Sequence, residues 1–190
     1  MVSRLPIELL SEIFLCVRDS SLADEAEKMY LDDYDNKWIR VSHVCASWRS
    51  IALSTPELWT IIRTHHNDML QMLIRRSRNR KLTVVCGCLE DRSVMDAIMD
   101  ELPRLERLAV CLCLSLDNTS DHTWVGLPAP HLRELLIDNP ATVQPIPFPL
   151  LLLKSNMPAL KSFHLLDNHF TWMAYALPSS LTSLTIVGLG

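Results

Sequence analysis

The chain is 190 residues long, 48% hydrophobic, and carries a formal net charge of −4. Its length suits one ordinary domain or two small ones, and its apolar content is enough to bury a core, which excludes wholesale disorder. The slightly negative balance gives no basis for broad nucleic-acid binding, and no nucleic-acid partner is expected. Six cysteines in a chain whose first residues lead straight into a helix, leaving no room for a signal peptide, point to a reducing compartment. A cytoplasmic or nuclear location is therefore expected. The longest nearly apolar run, residues 145–153, is interrupted by Pro145, Pro147 and Pro149 and is far too short to span a membrane, so no membrane partner is expected. Glycine is scarce (4) and proline common (11), which disfavours phosphate-cradling loops and favours hard chain stops.

The first element expected is a helix beginning at Pro6 and ending near Arg18. Pro6 suits a first helical turn, where its missing N–H is harmless, and Glu8 and Glu12 suit the positive helix start. Ile7, Leu10, Phe14 and Val17 recur at helical spacing and predict one apolar stripe. Leu9, Ile13 and Cys16 predict a second one on the same helix. Residues 19–37 are rich in Asp and Glu and read as a solvated acidic loop, with a helical turn near its middle. They lack the glycine and terminal glutamate of a calcium loop.

A second helical stretch runs from about Lys37 to Leu53 and reads as two helices meeting near Cys45. Trp38, Val41, Cys45 and Trp48 form its stripe, with Val44 and Ile51 beside it. Thr55 is placed to cap a short turn at Pro56 that returns Leu58 and Trp59 to the core. Two short helices apolar on two sides need cover on two sides. One cover comes from the chain itself, and the other is expected from a partner.

The ordered set Leu5-Pro6, Glu8-Leu9, Ile13-Phe14, Val41-Ser42, Val44-Cys45, Trp48, Pro56 and Trp59 resembles the F-box family in its fungal form, over roughly residues 4–60. The departure is the insertion at 19–37, longer than the family core allows. The resemblance implies a helical module that docks on a Skp-type adaptor and, through it, joins a cullin and a RING subunit in a ubiquitin ligase. Leu5, Pro6, Leu9, Ile13, Val41, Val44, Cys45 and Trp48 would supply the adaptor contact or its support.

Residues 65–78 predict a further helix with Met69, Leu70, Leu73 and Ile74 inward. It ends in Arg75, Arg76, Arg78, Arg80 and Lys81, a basic run with no aromatic residues between its members. That reads as a solvated helix end and not a nucleic-acid site.

From Lys81 the texture changes. Pro103, Leu105, Leu108 and Val110 recur as Pro130, Leu132, Leu135 and Ile137, then as Pro158, Leu160, Phe163 and Leu165, and finally as Leu181, Leu184 and Ile186. The steps are 27, 28 and 21 residues, and Leu82 and Val84 sit 26 residues before Leu108 and Val110 as a less complete first copy. Self-similarity in this range marks stacked units, each a strand and a return segment that cannot bury its own leucines. Return segment 93–102 reads as a helix with Val94, Ile98 and Leu102 inward, whereas 139–148 is proline-rich and irregular. The copy from Leu160, with Asn168 and Phe170, and the copy from Leu105, with Cys113, resemble leucine-rich repeats. That resemblance covers roughly 80–190.

The fold expected is thus mixed α+β: an all-α module over 1–62, a helical linker over 63–80, and a leucine-rich-repeat-like α/β solenoid over 81–190. The repeat frame turns Ala109, Cys111, Leu136, Asp138, His164, Leu166, Thr185 and Val187 to the strand face opposite the leucines. Leu136, Asp138, His164, Leu166 and Val187 are the candidate contacts for an unknown protein target.

Cys86, Cys88, Cys111 and Cys113 invite a four-thiolate zinc reading. The frame sends the two pairs to opposite faces, so they are expected to be structural, with no metal and no cofactor. The seven histidines match no metalloprotease, nucleophile-elbow or nucleotide-binding signature, and no catalytic residue is assigned. The expected function is therefore non-catalytic: target selection for a Skp–cullin–F-box ligase. The alternative is a repeat scaffold whose helical segment only caps the stack. That alternative predicts no exposed apolar face on Leu9, Ile13 and Val44. The chain stops at Gly190 directly after a repeat strand, which fits a complete array with an exposed last copy and fits a fragment equally.

Overall fold

The computed structural model of the chain describes residues 5–23, 36–64, 66–89, 91–112, 127–139, 156–167 and 177–188. Helix α1 spans Ile7–Ala23. The carbonyl of Pro6 accepts its first turn bond from Leu10 N–H at 3.1 Å, so the proline sits just outside the helix. Nothing between Ile7 and Ala23 is a helix breaker, and the helix runs past its expected end at Arg18, taking Asp19 out of the acidic loop. Residues 24–35, the rest of the insertion, lie outside the described residues.

The buried stripe of α1 is Leu10, Phe14 and Arg18, four residues apart, and Ile7 and Val17 are not part of it as expected. The cover on this side is narrower than the apolar stripe. It consists of a 3-10 helix at Lys37–His43, α2 at Ala46–Ser54 and a 3-10 turn at Pro56–Trp59. Arg18 can be buried because its guanidinium is fully engaged. It pairs with Asp19, donates to the Glu57 carbonyl, and reaches Thr60 Oγ1 at 3.4 Å.

The chain breaks between the 3-10 helix and α2 at Val44 and Cys45, as the sequence suggests. Cys45 is extended (φ −157°, ψ 170°), and its sulfur accepts the Trp48 N–H at 3.5 Å as the N-cap of α2. That role leaves Cys45 exposed rather than in the stripe, and Ile51 and Ala52 take the inward positions instead. Thr55 acts in the opposite direction to that expected. Its hydroxyl donates back to the Ile51 carbonyl at 2.8 Å, closing α2, and makes no cap to the turn beyond. Leu58 and Trp59 do return to the core, fully buried.

Six parallel strands follow in sequence order: β1 Ile61–Arg63, β2 Leu82–Leu89, β3 Leu105–Leu112, β4 Glu134–Asn139, β5 Ser162–Asp167 and β6 Ser183–Val187. Helix α3, Asn67–Ser77, links β1 to β2 with Leu70 and Leu73 fully buried. Helix α4, Arg92–Asp100, links β2 to β3 with Val94, Met95, Ile98 and Met99 inward.

Leu108 pairs with Leu135, Leu135 with Phe163 and Phe163 with Leu184, the three register steps read from the sequence. The first copy slides by two residues: Val84, not Leu82, stands opposite Leu108, and Leu82 pairs with Leu105 across a register shift. A slip of two keeps every side chain on its face, because strand side chains alternate. Strand β1 has no counterpart among the expected elements. Three residues are too few to show a period, yet Ile62 is buried beside Val84.

One buried cluster runs from Leu10 and Phe14 through Trp38, Leu58, Trp59 and Ile62 to Leu135 and Leu165. The helices therefore pack directly onto the β1 end of the sheet. Beneath them, Trp38 and Trp59 are tilted against each other with ring centroids 5.3 Å apart. Arg76 of α3 lies over the Trp59 ring at 4.4 Å, and burial first, then Arg75, lowers its pKa from the usual arginine value.

Candidate functional site

Leu5, just before α1, and Leu9, Ile13 and Val17 on it follow one another at four-residue steps, so the three helical residues share one face and Leu5 continues its line. Leu9 is 52% and Ile13 43% exposed, values far above those of the stripe behind them. With Glu12, Cys16, Ser20 and Ser21 they line an open, mainly apolar groove of about 570 Å³. Val44, at the break before α2, is 62% exposed. Pro6 and Cys45 are exposed as well.

The other expected adaptor residues serve as support. Val41 and Trp48 are half-buried against the core, and the Trp48 ring meets Phe14 at 5.0 Å. The set thus divides into an open face (Leu5, Pro6, Leu9, Ile13, Val44, Cys45) and residues that brace it (Val41, Trp48). Val17 belongs to the groove but was assigned to the buried stripe. The unbroken four-residue ladder from Leu5 was the signal that could have placed it.

The strand face opposite the core presents two rows across β3 to β6. Ala109, Leu136, His164 and Thr185 form one, and Cys111, Asp138, Leu166 and Val187 the other. Ala109 and Cys111 are buried, so the β3 end of these rows is closed, against expectation. Leu136, Asp138, His164 and Leu166 are half-buried, and Val187 is exposed on the last strand. The His164 ring nitrogen Nε2 and the Ser162 hydroxyl are 2.8 Å apart, a local contact between side chains two residues apart on one face.

Cys86 lies on the core face, fully buried, with its thiol donating to the Thr64 carbonyl at 2.7 Å, whereas Cys111 lies on the other face. The side chains of Cys88 and Cys113 lie outside the described residues. No group of His, Cys, Asp and Glu able to hold a metal ion occurs among the described residues. Among those residues, too, no helix is long and apolar enough to cross a membrane.

The helical unit thus has one face of α1 buried and the next one open. Residues 2–65 match the family model described as F-box-like, and an F-box-like domain is found there. Domains of this kind are as a rule non-catalytic and bind Skp-type adaptors. No curated protein and no solved structure matches the chain.

Proposed function

We propose that this chain is a non-catalytic target-selecting subunit of a Skp–cullin–F-box ubiquitin ligase, acting in the cytoplasm or nucleus. The open face of α1 and the exposed Val44 dock a Skp-type adaptor. The strands of β4 to β6, read as degenerate leucine-rich repeats, hold a protein target through Leu136, Asp138, His164, Leu166 and Val187. The observation that carries the adaptor half is the exposed apolar ladder Leu5, Leu9, Ile13 and Val17, which the fold leaves without cover. It also weighs against a helical segment that only caps the stack, since a pure cap turns a polar face outward.

Co-expression with a Skp-type adaptor followed by size-exclusion chromatography tests the reading. A one-to-one complex is expected, and the chain alone is expected to be poorly soluble. Leu9→Glu with Ile13→Glu should abolish co-elution while moving the stability of the fold by no more than about 0.5 kcal/mol, as exposed substitutions do. Retention of the complex by that double variant, or no complex with the unaltered chain, overturns the assignment.

A further inference from the structure

The ends at which β3, β4 and β5 begin carry a row of charges that the function above does not use. Arg133 N–H donates to the Glu106 carbonyl and Lys161 N–H to the Arg133 carbonyl, both at 2.8 Å, so the three residues stand side by side at one level of the sheet. Glu106 is already paired, with Lys81 at 3.2 Å. One level further in, Arg107 is paired with Glu134 at 3.1 Å. Arg133 and Lys161 are both exposed, and neither side chain has a carboxylate partner among the described residues. Adjacent strands lie about 4.8 Å apart. Like charges placed across such a step oppose each other. In a chain of net charge −4 this is a local excess of positive charge, not a general one.

We propose that this rim of the sheet docks an acidic segment of another protein, seating two neighbouring Asp or Glu carboxylates between Arg133 and Lys161. Charge complementarity sets the sign of the partner. The surroundings set its class. Among the described residues the unpaired cations on this rim are only two, which suits a pair of carboxylates and is too short for a continuous phosphate track, and every described aromatic side chain is buried or half-buried, so none offers a platform for base stacking. A small free anion would find no buried polar atom to hold it, whereas a peptide contributes several contacts at once. The proposal is independent of adaptor binding, because no residue of α1 or α2 takes part. A failure here leaves the co-elution result untouched.

The test is fluorescence anisotropy of a labelled octaglutamate peptide with the full chain, run beside a phosphoserine-rich peptide and a single-stranded DNA oligomer. The octaglutamate peptide should bind, more weakly as salt is raised. Arg133→Glu with Lys161→Glu should lower its affinity about tenfold or more. Arg40→Glu, an exposed change on the 3-10 helix, should leave it unchanged. Thermal melts of each variant confirm that the fold survives. Three results overturn the proposal: no binding of octaglutamate, equal binding by the double variant, or tighter binding of the phosphopeptide or the DNA.

Discussion

The two tryptophans tilted against each other under the helices should respond very differently to the same substitution. Trp59 and Trp38 are both almost wholly buried, and replacing either by Phe removes a similar area of ring. Trp59 Nε1–H donates to the Ala52 carbonyl at 2.8 Å, and its ring also carries Arg76. Trp38 Nε1–H is buried with no hydrogen-bond partner among the described residues. Trp59→Phe therefore loses packing, a buried hydrogen bond and part of a cation–π contact, and should cost about 3 kcal/mol. Trp38→Phe loses the packing but also relieves an unpaired buried donor, and should come out within about 1 kcal/mol of zero. For a chain of this length the gap of about 2 kcal/mol corresponds to roughly 4–8 °C in Tm. Urea denaturation followed by far-UV circular dichroism, checked by calorimetry, measures both variants. Equal destabilisation by the two substitutions would refute the assignment of an orphan indole N–H to Trp38.

Other positions give independent checks. Arg104 ties α3 to the start of β3: it pairs with Glu101, reaches Ser77 Oγ at 3.0 Å and the Arg80 carbonyl at 2.9 Å, and donates to the Arg78 carbonyl. Arg104→Ala should cost about 2–3 kcal/mol in a denaturation series, because several carbonyls lose a charged donor together. Arg78 ends α3 with φ 51° and ψ −129°, a conformation natural to glycine. Arg78→Gly should raise stability by about 1 kcal/mol, read as a higher urea midpoint. Trp48→Ala should lower both stability, by about 2–3 kcal/mol, and adaptor affinity, since the ring braces Phe14 behind the open face; separate melting and binding measurements resolve the two effects.

Much of the architecture was legible because it repeats. The spacing from Leu108 to Leu135, Phe163 and Leu184 fixed strand register, since a parallel ladder places equivalent leucines side by side. The first copy misled by two residues because the register shift beside Leu82 leaves no mark in the apolar pattern. Strand β1 was invisible because three residues are too few to show a period, and they take their order from pairing with β2. At the candidate site the composition of the open face was readable, but its limits were not. Helical periodicity tells which residues share a side. How wide a cover the neighbouring segments supply is a tertiary fact, and it decided that Val17 faces out while Arg18 is buried.

The unbroken interior from Leu10 to Leu165 has a practical corollary. Among the described residues there is no seam at which the front of this polypeptide could be lifted off and grafted elsewhere: a cut after Trp59 would lay bare the indole and Ile62 together. Among the described residues, the leading helix is thereby tied to the strands as far as β5 through one shared interior.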